Sequence, residues 1–322
     1  MPAEGTPSLA SRAVIVGFGL MGCDIASIFL AGGWRVTAVE PDLANWSVRR
    51  ERVRQALSQL DVTPDDTHLD LAATLEEVSF QDAALVIEAA PERLDVKRAI
   101  FAQLDAAVPN GIPIASNASG FRITDIAGDL PTCARMANLH FFLPAHLVPG
   151  VEVVRGEHTD PTTCDRLATI MASLGRKPIR VARDVPGFLA NRIQHALMRE
   201  VFAVIDAGLA SAADVDDAVR YAFGFRYLAA GPITQKELAG LDSQLAAAAT
   251  IYPSLSNTSV PSPTLSRLVA EGRLGVKTGR GFEEWPPERA AAEQERYERL
   301  LLAAVRLLRL EASAAPSDAG PP

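Results

Sequence analysis

The run Ala13-Val14-Ile15-Val16, followed at once by Gly17-Phe18-Gly19-Leu20-Met21-Gly22, restricts the fold more than any other stretch of this chain. A short β-branched run without polar interruption suits a strand buried on both faces of a parallel sheet. The period then changes: Ile25, Ala26, Ile28, Phe29 and Leu30 fill one broad helical face, and Gly32-Gly33 stops it. Val36-Thr37-Ala38-Val39 resumes as a second strand. Strand, helix, strand with tight glycine turns is one βαβ unit with a right-handed crossover. In that setting each glycine has a reason. Gly17 permits the tight turn, Gly19 lets the backbone approach a pyrophosphate, and Gly22 lets the helix pack close. The amides at the helix start, from Leu20 and Met21 onward, then bind the anion with help from the helix dipole. Glu40 closes the second strand, where a carboxylate accepts hydrogen bonds from a ribose diol and disfavours a 2'-phosphate. That points to NAD, although Arg49, Arg50 and Arg52 lie near enough in sequence to temper it, and a solvated glutamate at a strand end is the plainer alternative.

The alternation persists. Residues 84–88, 113–116, 137–142, 151–154 and 178–181 read as strands, with helices over 94–104 and 164–174, so an open, doubly wound sheet is expected. Beyond Asp184 the pattern changes. Pro186-Gly187 leads into a helix in which Ile193, Leu197, Val201, Val204 and Ile205 recur at helical spacing, and no further strand run follows. The expected architecture is α/β: a Rossmann-type, doubly wound parallel sheet over residues 11–184, then an all-α domain over 185–310. The Ala/Ser/Pro-rich stretch 311–322 reads as a disordered tail.

A length of 322 residues agrees with two domains. No window approaches the ~20 apolar residues of a membrane-spanning helix, and the polar start lacks a leader pattern, so a cytoplasmic protein without a membrane partner is expected. Cys23, Cys133 and Cys164 form neither a disulfide framework nor metal-ligand pairs. A net charge of -8 offers no basic surface for nucleic acid. A small molecule is the expected partner.

Further segments carry a resemblance. GFGLMG, VIEAAPERLDVK, ASNASGFRITDIA, LHFFLPAHLVPGVEVVRG, DVPGFLANRI and GVKTGRGF, in this order, resemble the L-3-hydroxyacyl-CoA dehydrogenase family across almost the whole chain. The resemblance implies a nicotinamide-binding domain followed by a helical domain that dimerises. It places His140 as the catalytic base, Glu152 as its carboxylate partner, and Ser119 and Asn191 on the substrate oxygens. It also places Glu92, Lys97 and Asn117 among the cofactor-binding residues. The chemistry agrees with these residue types. Hydride leaves an alcohol carbon only as the hydroxyl proton leaves, and histidine is a base suited to neutral pH. Plainer readings exist for each residue. His140 beside Phe141 and Phe142 fits a core histidine, Ser119 an ordinary turn, and Glu92 with Lys97 an exposed helical charge pair. Asn191 is a poor helix former that needs a reason to stand in a helix. His146 is at most a substrate-side residue.

The chain departs from acyl-CoA members at Leu143, where they carry asparagine, and at Gly120, where they carry a second serine. It also lacks a lysine-rich hairpin after Glu40. PAHLVPGVEVV resembles instead branches of the family acting on free acids: the carnitine, gulonate and pyridoxine-degradation dehydrogenases. The leading expectation is therefore oxidation of a 3-hydroxyacyl compound to the 3-oxo compound. Substrates in view are an acyl-CoA, a free hydroxy acid, or an aromatic hydroxymethyl or aldehyde acid. A non-catalytic dinucleotide-binding protein is the reading from another class, and the intact His140 and Glu152 argue against it.

Overall fold

Strand β1 (Arg12–Val16) has no exposed residue, because its sheet is covered on both faces. The computed structural model describes residues 11–63 and 65–314. They divide into two compact units, the first ending at Ala190 and the second beginning at Asn191.

In the first unit the chain runs through α1 (Leu20–Ala31), β2 (Arg35–Val39), α2 (Trp46–Gln59), β3 (Leu69–Ala72), β4 (Ala83–Glu88), α3 (Leu94–Ala107) and β5 (Ile114–Ser116). It continues through α4 (Ile123–Ala127), β6 (Met136–Phe141), β7 (Gly150–Val154), α5 (Pro161–Ser173) and β8 (Lys177–Val181). The eight strands form one sheet in the order β3-β2-β1-β4-β5-β6-β7-β8. All neighbours are parallel except β6 and β7. Alternation along β1 splits the core. Ile15 packs with Ile25, Phe29 and Leu167 on one face, and Val14 and Val16 pack with Phe101 and Leu104 on the other. Each such side chain, fully buried, contributes about 1.5–3 kcal/mol.

The strand order reverses between β1 and β4, which opens a crevice beyond the carboxyl ends of these strands. Val16 is in register with Val39 and with Glu88, and Glu88 with Ser116. Gly17, Glu40, Ala89 and Asn117 therefore share one edge of the sheet.

The second unit is helical: α6 (Ala190–Asp206), α7 (Ala212–Asp217), α8 (Gly224–Tyr227), α9 (Pro232–Ala239), α10 (Leu241–Ile251), α11 (Pro263–Ala270) and α12 (Pro287–Ala314). Its only extended pairing among the described residues is the isolated bridges Gly275 to Arg280 and Arg280 to Glu284. One expectation needs correction: α12 continues through residues 311–314, which sequence assigned to a disordered tail. The Leu-, Ala- and Arg-rich run just before it, 299–310, favours helix strongly, and Glu311, Ala312 and Ala314 continue that helix past the expected boundary. The remainder of that tail, 315–322, lies outside the described residues. Among the described residues no helix is long and apolar enough to cross a membrane, and no group of three or more side chains is arranged to hold a metal ion.

Candidate active site

The β1–α1 turn is built around its glycines. Gly17 has φ +96°, and a Cβ there would lie 2.6 Å from the Ala90 nitrogen. A Cβ on Gly22 would lie 2.0 Å from the Gly17 carbonyl oxygen, so the helix start packs directly on the turn. At Gly19 a Cβ would meet nothing within 4 Å. Gly19 is also the N-cap of α1, and no side chain caps the first-turn amides, those of Leu20 and Met21 among them. Uncapped donors at a helix start beside open space form a cradle for a phosphate anion. Glu40 braces this cradle: its carboxylate accepts hydrogen bonds from the amides of Phe18 and Asp42, both at 3.0 Å.

His140 and Glu152 face each other across the antiparallel β6–β7 pair. His140 Nδ1 lies 2.7 Å from Glu152 Oε2, and its Nε2 lies 2.9 Å from the Ser119 hydroxyl. The imidazole is 2% exposed and the carboxylate 0%. Glu152 Oε1 accepts hydrogen bonds from the amides of Leu189 (3.1 Å) and Ala190 (2.7 Å). Burial pushes the Glu152 carboxyl up, but the hydrogen bonds from His140 and Ala190, with the His140 charge and the Leu189 amide, together hold it below its ordinary value of 4.5. An ionised carboxylate only accepts, so Nδ1 carries the proton in the neutral ring and Nε2 is left as an acceptor for the Ser119 hydroxyl. Phe142 and Phe188 meet the imidazole edge-on, with centroids at 4.6 and 5.5 Å. Phe188 is buried and holds φ +47°, a left-handed conformation that a bulky residue keeps only where its surroundings enforce it.

A glycine turn with uncapped helix-start amides and a Ser–His–Glu chain thus stand in the first unit. The model of the "3-hydroxyacyl-CoA dehydrogenase, NAD binding domain" matches residues 12–185, and that of the "3-hydroxyacyl-CoA dehydrogenase, C-terminal domain" matches residues 187–285. The chain belongs to the 3-hydroxyacyl-CoA dehydrogenase family. It is 31% identical over 303 residues to a 5-formyl-3-hydroxy-2-methylpyridine 4-carboxylate 5-dehydrogenase of Mesorhizobium japonicum, covering 91% of this chain and 97% of the relative. It is 38% identical over 300 residues to an L-carnitine dehydrogenase of Streptomyces griseus, covering 90% of this chain and 88% of the relative. A crystal structure of a 5-formyl-3-hydroxy-2-methylpyridine 4-carboxylic acid 5-dehydrogenase, an NAD+-dependent dismutase, superposes with a TM-score of 0.87 at 28% identity, covering 92% of this chain and 98% of that one.

This member of the family is an NAD-dependent oxidoreductase, and the arginines near Glu40 agree. Arg49 pairs with Glu40 at 2.6 Å and with Asp42 at 3.2 Å, Arg50 with Asp66 at 3.0 Å, and Arg52 with the buried Asp24 at 2.7 Å. Each is already engaged by a carboxylate. NADH is accordingly expected to bind at least about tenfold more tightly than NADPH in parallel fluorescence titrations, a difference of about 1.4 kcal/mol. A preference for NADPH would show that one of these pairs opens.

Glu92 and Lys97 do not form the exposed pair that was the plainer reading. Lys97 is 1% exposed. Its ammonium lies 2.8 Å from Glu88 Oε1, 3.3 Å from Glu92 Oε2 and 3.3 Å from the Ala90 carbonyl. The other Glu92 oxygen, Oε1, accepts hydrogen bonds from the amides of Ser119 (3.0 Å) and Gly120 (2.7 Å). Asn117 turns its Oδ1 to the Phe141 amide at 2.9 Å, which ties the Ser119 loop to the end of β6. Asn191 is the second residue of α6 and the first of the second unit. It is not among the groups gathered in the first.

Three buried groups were missed in the sequence. Glu88 sits at the end of β4 and Ser116 at the end of β5, with the Ser116 hydroxyl donating to Glu88 Oε2 at 2.6 Å. Asp24, in α1, accepts from the Ala145 amide at 3.0 Å and lies 3.2 Å from His146 Nδ1. His146 Nε2 meets Gln59 Oε1 at 2.5 Å, so this buried histidine ties the loop after β6 to α1 and α2. Carboxylates inside otherwise apolar runs, LVIEAAP and CDIASIF, were the available signal.

The lowered value of Glu152 also gives a pH prediction. A carboxyl whose folded value lies below its unfolded one contributes stability that is fully present above the unfolded value and is lost as pH falls through the folded one. The stability advantage of the wild type over Glu152→Gln should therefore be complete above about pH 4.5 and shrink below it. Urea unfolding of both proteins along an acid series checks this, and a pH-independent difference would contradict it.

Proposed function

We propose that this chain oxidises the secondary alcohol of a 3-hydroxy acid to the 3-oxo compound, with His140 as the base. The observation that carries the reading is the chain of contacts from Ser119 through His140 to Glu152. His140 Nε2, freed of its own proton by the Nδ1 contact, takes the proton of the substrate hydroxyl. Glu152 stays ionised and stabilises the imidazolium that forms. The Ser119 hydroxyl then donates to the oxygen on which charge develops. When bound at the Gly17–Gly22 cradle, NAD supplies the acceptor for the hydride. The two phenyl rings keep water from the imidazole, which strengthens its pairing with Glu152. Asn191 enters this reading on the family resemblance alone.

A free acid, rather than a CoA thioester, is the substrate class favoured. The two relatives described act, by their names, on carnitine and on a pyridine carboxylate. The stretch after Glu40 is filled by α2 and the short β3, and half-exposed Leu143 stands where acyl-CoA members present asparagine. The test is turnover with NAD on a panel of 3-hydroxybutyrate, L-carnitine and 3-hydroxybutyryl-CoA. Activity on free acids alone is the expected result, and activity confined to the thioester would overturn the substrate class.

The helical unit is the proposed dimer surface. Ile233 and Leu238 on α9 and Leu245 on α10 are largely exposed, and a partner surface would cover such apolar side chains. Light scattering at the mass of two chains is the expected result.

A further inference from the structure

Glu88 takes no part in the proposed chemistry, yet it is 0% exposed and accepts three hydrogen bonds. The Ala90 amide (2.7 Å) and Lys97 Nζ (2.8 Å) donate to its Oε1, and the Ser116 hydroxyl (2.6 Å) to its Oε2. A buried ion pair is weak evidence for stability in itself, because desolvating two charges offsets most of their attraction. Its use lies in fixing one geometry, and two links show which geometry this pair fixes. The Ser116 hydroxyl, donating to Glu88, accepts from the Ala118 amide at 3.2 Å. Lys97, held by Glu88, holds Glu92 Oε2 at 3.3 Å, and Glu92 Oε1 takes the amides of Ser119 and Gly120. Both links end on the loop 116–120, which meets the imidazole through the Ser119 hydroxyl, 2.9 Å from His140 Nε2.

An ammonium has three protons to donate, and Lys97 has three protein acceptors within reach: Glu88, Ala90 and Glu92. Through Glu92 the pair thus reaches the loop. We propose that Glu88 is a positioning residue that, through Lys97 and Glu92 on one side and Ser116 on the other, sets the place of the Ser119 hydroxyl against the His140 imidazole. The proposal rests on His140 being the base. Glu88 touches no reacting atom. A glutamine in its place keeps the shape but removes the charge that holds Lys97 and offers a single acceptor oxygen; with that oxygen toward Lys97, its NH2 faces the Ser116 hydroxyl, which would then have to accept instead of donate.

The test compares wild type, Glu88→Gln, Ser119→Ala and the double variant as full-length proteins by NMR, where five histidines keep the imidazole signals assignable. In Glu88→Gln the Ser119 and Gly120 amides should exchange with solvent about tenfold faster or more, while those of β1 and β4 keep their relative protection. The His140 imidazole, which faces Glu152 from β7 and Ser119 from its loop, should titrate with a midpoint displaced in the direction that Ser119→Ala displaces it. In the Ser119→Ala background Glu88→Gln should then add less than about 0.2 of a pH unit, because coupled residues do not act additively. A merely structural role would accelerate exchange everywhere and add equally in both backgrounds. Should Glu88→Gln fail to fold, Glu92→Ala, on a half-exposed side chain, carries the same expectation. Unchanged exchange at Ser119 and Gly120, or additive displacements, would overturn the proposal. So would a loss of NADH affinity in Glu92→Ala with those two amides undisturbed, which would return Glu92 and Lys97 to the cofactor. Failure of the base itself reads differently, as an active His140→Gln enzyme.

Discussion

Replacing His140 with glutamine is expected to lower turnover by about a hundred- to ten-thousand-fold, the range for a positioned general base. Glutamine fills a similar volume and still meets Glu152 and Ser119 with polar atoms, so β6 and β7 should keep their register. It cannot accept a proton at neutral pH. The alcohol proton would then have to leave to water, from a site where Phe142 and Phe188 flank the imidazole and the ring itself is 2% exposed. NADH affinity should stay within about twofold, since the proposed phosphate cradle belongs to the β1–α1 turn and not to β6. Steady-state turnover on the best substrate of the panel, beside a fluorescence titration with NADH, separates the two quantities. A variant retaining more than about a tenth of the activity would remove His140 from the role.

How far the site was legible depended on distance along the chain. The glycine turn is local, so strand, motif and helix could be read from residues 13 to 30, and the structure adds only a Cβ argument for each glycine. The Ser119, His140 and Glu152 set entered through family resemblance. Spacing alone does not say that β6 and β7 are antiparallel, which is what puts His140 opposite Glu152. Elements with weak periodicity went unread. In α2 only Val53, Ala56 and Leu57 are buried among arginines and glutamines, and β3 is four residues long at the sheet edge. Glu88 and Lys97 show the general limit. Nine residues separate them, and the sequence offers no sign that Lys97 turns inward from α3, because the partner that makes its burial tolerable lies on a strand. Charges in apolar runs are therefore worth flagging as buried even before a partner can be named.

That buried pair supports the largest stability effect. Lys97→Met should destabilise the protein by about 3–5 kcal/mol, the usual consequence of removing one member of a buried ion pair. The reason is the carboxylate left behind. Glu88 would keep the Ala90 amide and the Ser116 hydroxyl as donors, but its charge would have no counterion and no water. Proton uptake relieves such a charge, so the loss should diminish on acidification. The double change Lys97→Met with Glu88→Leu removes both charges and should recover most of the loss, since apolar residues of similar volume commonly replace buried pairs at little cost. Urea denaturation of the three proteins under one set of conditions makes the comparison. A loss below about 1 kcal/mol in the single variant would mean that solvent reaches Glu88 once Lys97 is gone. A double variant no more stable than the single one would instead trace the loss to the packing of the lysine stem beneath α3, with the charge itself contributing little.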